Sequence, residues 1–532
     1  MSPEIDQKKL EQSTEQLGAF EISEAMLELA QHNEKNNSVL DAGRGNPNWI
    51  NTKARLAFAR LIEFGVAESR RTILQGDLAG YTILDNISTR FAKFLDNGDA
   101  VDNFLLESLE FVANKFNINR DEFVKEITDG VIGNNYPVPS RVLKHSEKIL
   151  NAYLQSTLYN GVDLADKTHI FPTEGGSAAI VYIFNSLRVN HLLNPGDKIA
   201  VSTPIFTPYL QIPVLNEYEM VEVDLTSSAK YNWKIQPDEL AKVSDPDIKA
   251  LFLVNPSNPG SMALNEHSLK QIEQLIANNP DLIIITDDVY GTFVDNFQSV
   301  YSVVPKNTLL VYSYSKLFGA TGWRVGMIAA HEDNVFDRLI SQLPQHQRAE
   351  LDARYALNVL APAEMNFIDR IVADSRAVGL YHTAGLSTPQ QLMEVLFSLN
   401  YLLEADNGDY YVEASKAIVA KRYAALFTNL GISTNISPYN SKYYALIDIY
   451  QLAEQRYDKG FRAFLVENFE QIDFLYKLSK KSGVVVMDGA GFGAAEGIIR
   501  VSEANLPDDA YSQVATAILD LLADYNYQYK HN

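Results

Sequence analysis

Cysteine is absent from the 532 residues. That excludes a disulfide framework and any thiolate nucleophile or ligand. The nine histidines contain no HExxH-like pair, so no metal centre is expected. No apolar run approaches the roughly 18–20 residues that span a bilayer. The opening Met1-Ser-Pro-Glu-Ile-Asp-Gln-Lys-Lys lacks the apolar stretch of a secretory signal. Basic residues are too few to balance the acidic ones: 45 Lys and Arg stand against 67 Asp and Glu, a formal charge of −22. Such a surface repels nucleic acid and anionic lipid, so neither a nucleic acid nor a membrane is expected as a partner. Internal repeats and low-complexity segments are missing too. Together these absences point to a cytoplasmic protein, long enough for about three to four domains.

What is present is a block of alternating strands and helices. Thr168–Phe171, Lys198–Ser202, Ala250–Val254, Asp281–Thr286, Thr308–Ser313 and Val325–Ala330 read as strands. Several are almost continuously apolar, as strands covered on both faces tend to be. Gly176–Leu187 and Glu266–Ala277 read as helices between them, which predicts an α/β fold with a mostly parallel sheet. The flanks are helical: Thr52–Glu68, Ile87–Leu95, Val101–Phe116 and Arg120–Asp129 before the block, and Asp352–Leu360, Ala363–Arg376, Thr388–Ala405 and Tyr411–Leu430 after it. Tyr443–Asp448 and Ser482–Met487 read as strands, and Asp508–Tyr525 as a closing helix. The expected division is 1–130 (an N-terminal arm, part of a small domain and a helical insertion), 131–345 (a large domain), 346–385 (a second helical insertion) and 386–532 (a C-terminal small domain).

Chemistry gathers at the strand ends, where open α/β sheets bind ligands. Ser313-Tyr-Ser315-Lys316 follows one apolar run, and Arg324 lies a little further on. An amine held partly out of water is a nucleophile, and a guanidinium fork grips a phosphate. That pairing suits pyridoxal 5'-phosphate (PLP), which needs a covalent amine link at its aldehyde and a clamp at its tail. Gly175-Gly176, at a helix start, lets backbone N–H groups approach a phosphate. Phe206 follows another strand and can lie flat on a planar heterocycle. Asn258 can hydrogen-bond a phenolate oxygen. Asp287 ends a buried strand, where a carboxylate is costly unless it meets a cation. A protonated pyridine nitrogen is such a cation. Tyr290, three residues on, places a phenol near the ring oxygen, which favours Asp287 over Asp288.

In order and spacing these pieces resemble the aspartate aminotransferase family, fold type I of the PLP enzymes. The resemblance implies catalytic roles for Lys316, Asp287 and Tyr290. Gly497-Ile-Ile-Arg500 looks like the segment whose arginine binds the substrate α-carboxylate. Gly43-Arg44-Gly45-Asn-Pro47 sits where the family lines the substrate. Asn135-Tyr136-Pro137 looks like the tyrosine that reaches the phosphate of a neighbouring subunit. The chain departs from the family in two places: Asp488-Gly489 stands where Pro-Gly is usual, and Asn258-Pro-Gly-Ser where Asn-Pro-Thr-Gly is usual.

The chain is also longer than typical members, with the surplus near 85–130 and 340–385. With Gly133-Asn-Asn-Tyr-Pro-Val-Pro139, Thr173-Glu-Gly-Gly-Ser-Ala-Ala and Tyr381-His382-Thr-Ala-Gly-Leu-Ser387, this is similar to the L-aspartate β-decarboxylases. They release alanine and CO2 from L-aspartate and keep some aminotransferase activity toward a 2-oxo acid. The same resemblance implies a homo-oligomer, a dimer at least and often a dodecamer. Aspartate aminotransferases often hold the distal carboxylate with an arginine just before a Ser-x-Pro segment. Here His382 and Thr383 take that place, leaving Arg44 and His382 as candidates for a looser grip. A plain aminotransferase with helical insertions is the alternative. A PLP-binding sensor module is a remote one, since no basic DNA-binding segment accompanies it.

Overall fold

The structure, a computed structural model, describes residues 18–531 except 36, 37, 229, 230, 232, 233, 406, 407, 409 and 470. The opening segment, read above for the absence of a signal, lies outside the described residues.

A seven-stranded sheet forms the centre. Its strands are β1 (Thr168–Thr173), β2 (Lys198–Ser202), β3 (Glu219–Val223), β4 (Ile248–Val254), β5 (Ile283–Asp287), β6 (Thr308–Ser313) and β7 (Gly326–His331), in the order β1-β7-β6-β5-β4-β2-β3. β6, β5, β4, β2 and β3 pair in parallel, while β7 runs antiparallel to both β6 and β1. The expected mostly parallel sheet therefore carries one reversed strand. β4, β5 and β6 are buried almost throughout, which fits their Val, Ile and Leu runs. β3 has no such run: its Glu-Met-Val-Glu-Val is broken by two glutamates and only Val223 is buried, at the sheet edge, so it carries a weaker signal.

The register sets the site. Asp287 pairs with Val254 on one side and Val311 on the other. Ser313 pairs with Gly326, and Gly326 with Thr173. The ends of β1, β4, β5 and β6 and the start of β7 thus lie along one rim.

The helices Thr52–Thr72, Ile87–Phe94, Ala100–Phe116 and Arg120–Ile132 share one apolar core with this sheet, through Leu61, Phe91, Leu105 and Val124. The helix Thr388–Glu404 opens on a proline in its first turn and is buried on nearly every side from Gln391 to Asn400. A second core surrounds a small antiparallel sheet: β8 (Tyr444–Asp448), β9 (Met487–Asp488) and β10 (Ile498–Ser502), in the order β8-β10-β9. The helices Tyr410–Leu430 and Ala510–His531 cover it.

Three expectations shift. Ser482–Met487 is not one strand: Val484–Val485 pairs in parallel with Leu40–Asp41, and Met487–Asp488 belongs to the small sheet. Gly483 turns through φ +73° just before them. The helix expected at Asp352–Leu360 is Gln345–Tyr355 and stops at Tyr355, whose side chain is buried. The helix expected from Ala363 begins at Phe367, because Pro362 opens a separate short turn, Pro362–Glu364.

Candidate active site

A cavity of 270 Å³ opens at the rim where the strand ends meet. Lys316, Asp287, Tyr290, Asn258, Ser313, Ser315, Arg324, Gly176, Phe206, Gly45 and Arg500 all line it. They come from the ends of five strands, the approach to β7, the N-terminal segment at Gly45 and the small sheet, so the fold assembles what the sequence disperses.

Lys316 leaves the end of β6 half-buried, and its Nζ donates to Gly45 O at 3.1 Å. Tyr443 Oη donates to the same carbonyl at 2.9 Å. A Cβ on Gly45 would collide with the Tyr444 hydroxyl, so only glycine fits there. Ser313 Oγ donates to Ser315 Oγ at 2.8 Å behind the lysine.

Asp287 is the last residue of β5 and is buried. Its Oδ2 accepts from Tyr209 Oη at 2.8 Å and its Oδ1 from the Val289 N–H at 3.2 Å. It has no ion-pair partner among the described residues. Burial pushes its carboxyl pKa up to about 6, against the opposing pull of the Tyr209 and Val289 hydrogen bonds. Asp288 turns the other way: its Oδ1 accepts from Thr286 Oγ1, and it does not line the cavity.

On the facing wall, Tyr290 Oη and Tyr444 Oη lie 2.9 Å apart. Asn258 Nδ2 donates to Tyr290 Oη at 3.4 Å. Burial holds the Tyr290 phenol pKa well above the usual value, so it stays protonated. Arg500 comes from β10 and is fully buried, sandwiched between the rings of Tyr444 at 4.3 Å and Phe492 at 4.6 Å. Its Nη1 donates to Asn258 Oδ1 at 3.0 Å and its Nη2 to Gly43 O. Its Nε has no hydrogen-bond partner among the described residues.

Arg324 sits just before β7 with φ +53°, and its Nη2 donates to Glu174 O at 3.2 Å. Gly175, at φ +85°, lies behind it: a Cβ there would stand 2.8 Å from Arg324 Nη2. Gly175 therefore shapes the anion corner without lining the cavity. Gly176 starts the helix Gly176–Val189, whose first N–H groups face that corner. Phe206 lies edge-on to Phe20 and Tyr209, with ring centroids 5.6 and 5.1 Å apart.

Three of the sequence-derived residues lie elsewhere. Tyr136 is 69% exposed. The Arg44 side chain is 59% exposed and pairs with Asp41 at 3.4 Å. His382 is exposed in the short turn Tyr381–Thr383. None of them lines the cavity. The structure adds Tyr209 and Tyr444, which the sequence did not single out. Tyr209 follows Phe206 at helical spacing, and Tyr444 is the second residue of the expected strand Tyr443–Asp448. Both carried a signal of position but none of chemistry.

The corner of Arg324, Gly175 and Gly176 suits a phosphate. The buried carboxylate of Asp287, which has no ion pair among the described residues, suits a protonated ring nitrogen, and Lys316 lines the same cavity. These residues fit PLP. Arg500, from the small sheet, adds a buried cation to the lining of the same cavity.

Comparison with known proteins agrees. The family model for class I and II aminotransferases matches residues 122–518. A Pseudomonas protein named bifunctional aspartate aminotransferase and L-aspartate beta-decarboxylase is 42% identical over 519 residues, 97% of each chain. Among solved structures, aspartate aminotransferase from Thermus thermophilus with maleate superposes with a TM-score of 0.58 at 16% identity, covering 96% of this chain and 98% of that one. The aromatic aminotransferase of Pyrococcus horikoshii gives 0.58 at 17% identity, covering 92% and 96%. The chain belongs to the PLP-dependent class I and II aminotransferase family, in the branch of its full-length bifunctional relative.

Proposed function

We propose that the protein converts L-aspartate to L-alanine and CO2, and exchanges amino groups between aspartate and a 2-oxo acid as a second activity. The observation that carries this reading is the similarity to the bifunctional Pseudomonas protein along the whole chain, helical surplus included. PLP, when bound, supplies an aldehyde that joins an amine and a ring that accepts electrons from the joined amino acid.

The chain's own residues do the rest. Arg324, Ser313, Ser315 and the N–H groups at Gly176 would hold the phosphate. Asp287 would keep a proton on a ring nitrogen, Tyr290 and Asn258 would donate to a ring oxygen, and Phe206 would cover one face. Arg500 takes the substrate α-carboxylate on its fork. Lys316 Nζ would take the Cα proton as a general base and later return a proton.

The distal carboxylate is treated differently. Among the described residues lining this protomer's cavity, the cations are Lys316, Arg324 and Arg500, and each already has a task. A firm salt bridge to the distal carboxylate would stabilise the group that must leave and oppose its loss. Arg44 and His382 are assigned a looser hold on it. Exposed as they are here, Tyr136 and His382 suit a site completed across a homo-oligomer, a dimer at least, with a dodecamer as the larger assembly the resemblance implies.

Product analysis of the purified protein with L-aspartate and PLP tests the reading. Alanine and CO2 should accumulate without any added 2-oxo acid. Turnover strictly dependent on a 2-oxo acid, with no CO2, would leave a plain aminotransferase.

A further inference from the structure

The helix Thr388–Glu404 opens on Ser387-Thr-Pro-Gln390. In that pattern a serine hydroxyl ordinarily satisfies a backbone N–H of the first turn. Ser387 makes no such cap. Its Oγ donates instead to Gln390 Oε1 at 2.6 Å. The amide is thereby oriented, and Nε2 points away from its own helix. It donates to Trp323 O at 2.8 Å and to Arg324 O at 3.2 Å. These carbonyls flank the Cα of Arg324, which stands in the left-handed region at φ +53°. A non-glycine residue keeps such a backbone only where its surroundings hold it.

The guanidinium is held from the opposite side. Arg324 Nη2 donates to Glu174 O at 3.2 Å, and the Glu174 carboxylate pairs with Arg376 at 2.7 Å. Gln390 lies outside the cavity, and it meets the cavity-lining residue Arg324 only at its backbone carbonyl. Its two donated bonds go to a single turn, and that turn aims one functional side chain.

We infer that Gln390, oriented by Ser387, is a positioning residue for the phosphate anchor: it locks the left-handed turn at Arg324 and so points the guanidinium into the corner at Gly175 and Gly176. This rests on the reading of Arg324 as the phosphate clamp. A residue that merely packed the helix would affect every ligand of the cavity alike. A residue acting through Arg324 affects only ligands that carry the phosphate.

The test compares PLP with pyridoxal, its phosphate-free counterpart, on the full chain stripped of cofactor. Gln390→Met keeps the size and removes the donor without adding charge. PLP should bind about tenfold or more weakly, while pyridoxal binding stays within about twofold of wild type. Ser387→Ala, an exposed change that spares the core, should move PLP in the same direction by less, and it decides alone if Gln390→Met does not fold. Arg324→Ala is the control. If Arg324→Ala leaves the preference for PLP over pyridoxal intact, Arg324 is not the clamp and the underlying reading fails. If Arg324→Ala abolishes that preference but the Gln390 and Ser387 variants weaken neither ligand, or both equally, the positioning role is overturned.

Discussion

Tyr209 Oη donates to Asp287 Oδ2 at 2.8 Å, so the buried carboxylate is oriented before any ligand arrives. The bond favours the charged form of Asp287 and opposes the burial that raises its pKa. Tyr209→Phe removes only the hydroxyl. Both activities should fall together by about tenfold, the worth of one hydrogen bond to a charged group. The measurement is kcat/KM for alanine formation and for amino transfer. A change in one activity alone would place Tyr209 outside the shared step.

Asp287 also links stability to pH. Its carboxyl pKa rises from an ordinary 3.8 to about 6 in the folded chain, so between those values the folded state binds more protons than the unfolded one. Stability is therefore greatest below the ordinary value and is lost as pH rises toward 6. Asp287→Asn removes that penalty. Without cofactor at pH 8, the variant should be more stable than wild type by up to about 3 kcal/mol. Denaturant titrations at pH 4 and pH 8 check this, and the gain should vanish at the lower pH. Activity should be lost at both.

Lys316 is assigned the covalent link. Lys316→Ala should bind PLP without attachment, and borohydride should fix no cofactor to the chain. Reductive trapping on a different lysine of the wild-type protein would remove Lys316 from that role.

Arg500 tests the fork. Arg500→Lys keeps the charge but loses the paired donors, and its ammonium cannot fill the slot between Tyr444 and Phe492 in the same way. Efficiency with L-aspartate should fall by about a hundredfold or more, as for a loss of about 3 kcal/mol. An unchanged efficiency would show that the α-carboxylate binds elsewhere.

Arg44 and His382 should govern the fate of the substrate rather than the overall rate. Arg44→Ala and His382→Ala are expected to shift the ratio of alanine formed without acceptor to oxaloacetate formed with 2-oxoglutarate. Lys316 and Asp287 variants should lower both products together. A wild-type ratio in both alanine variants would assign the distal carboxylate to other groups.

The strand ends were legible in the sequence because buried parallel strands leave long Val, Ile and Leu runs, and the residue after each run is where a ligand can be met. Asp287, Lys316 and Ser313 were found that way. Arg500 was legible only through its likeness to a family segment: the β10 sequence by itself gives no hint that a fully buried guanidinium crosses to Asn258 and Gly43. Tyr209 and Tyr444 were missed because a tyrosine's hydroxyl partner lies far away in sequence, and periodicity reports only the face on which the ring stands. The exposure of Tyr136, Arg44 and His382 is equally invisible to pattern, since the first two lie in irregular chain and the third in a short turn, where no spacing rule applies.

The reversal of β7 has a geometric consequence. Lys316 and Arg324 both belong to the connection between β6 and β7, whose ends are clamped side by side where Ser313 pairs with Gly326. The connection acts as a caliper with a fixed jaw. The span between reactive amine and anion clamp is set by a closed loop on a rigid ladder, and not by the approach of two independent elements. Lengthening residues 314–325 by even one position would change that span directly, with no flanking linker to absorb it. This loop should therefore tolerate less change in length than the other connections of the sheet.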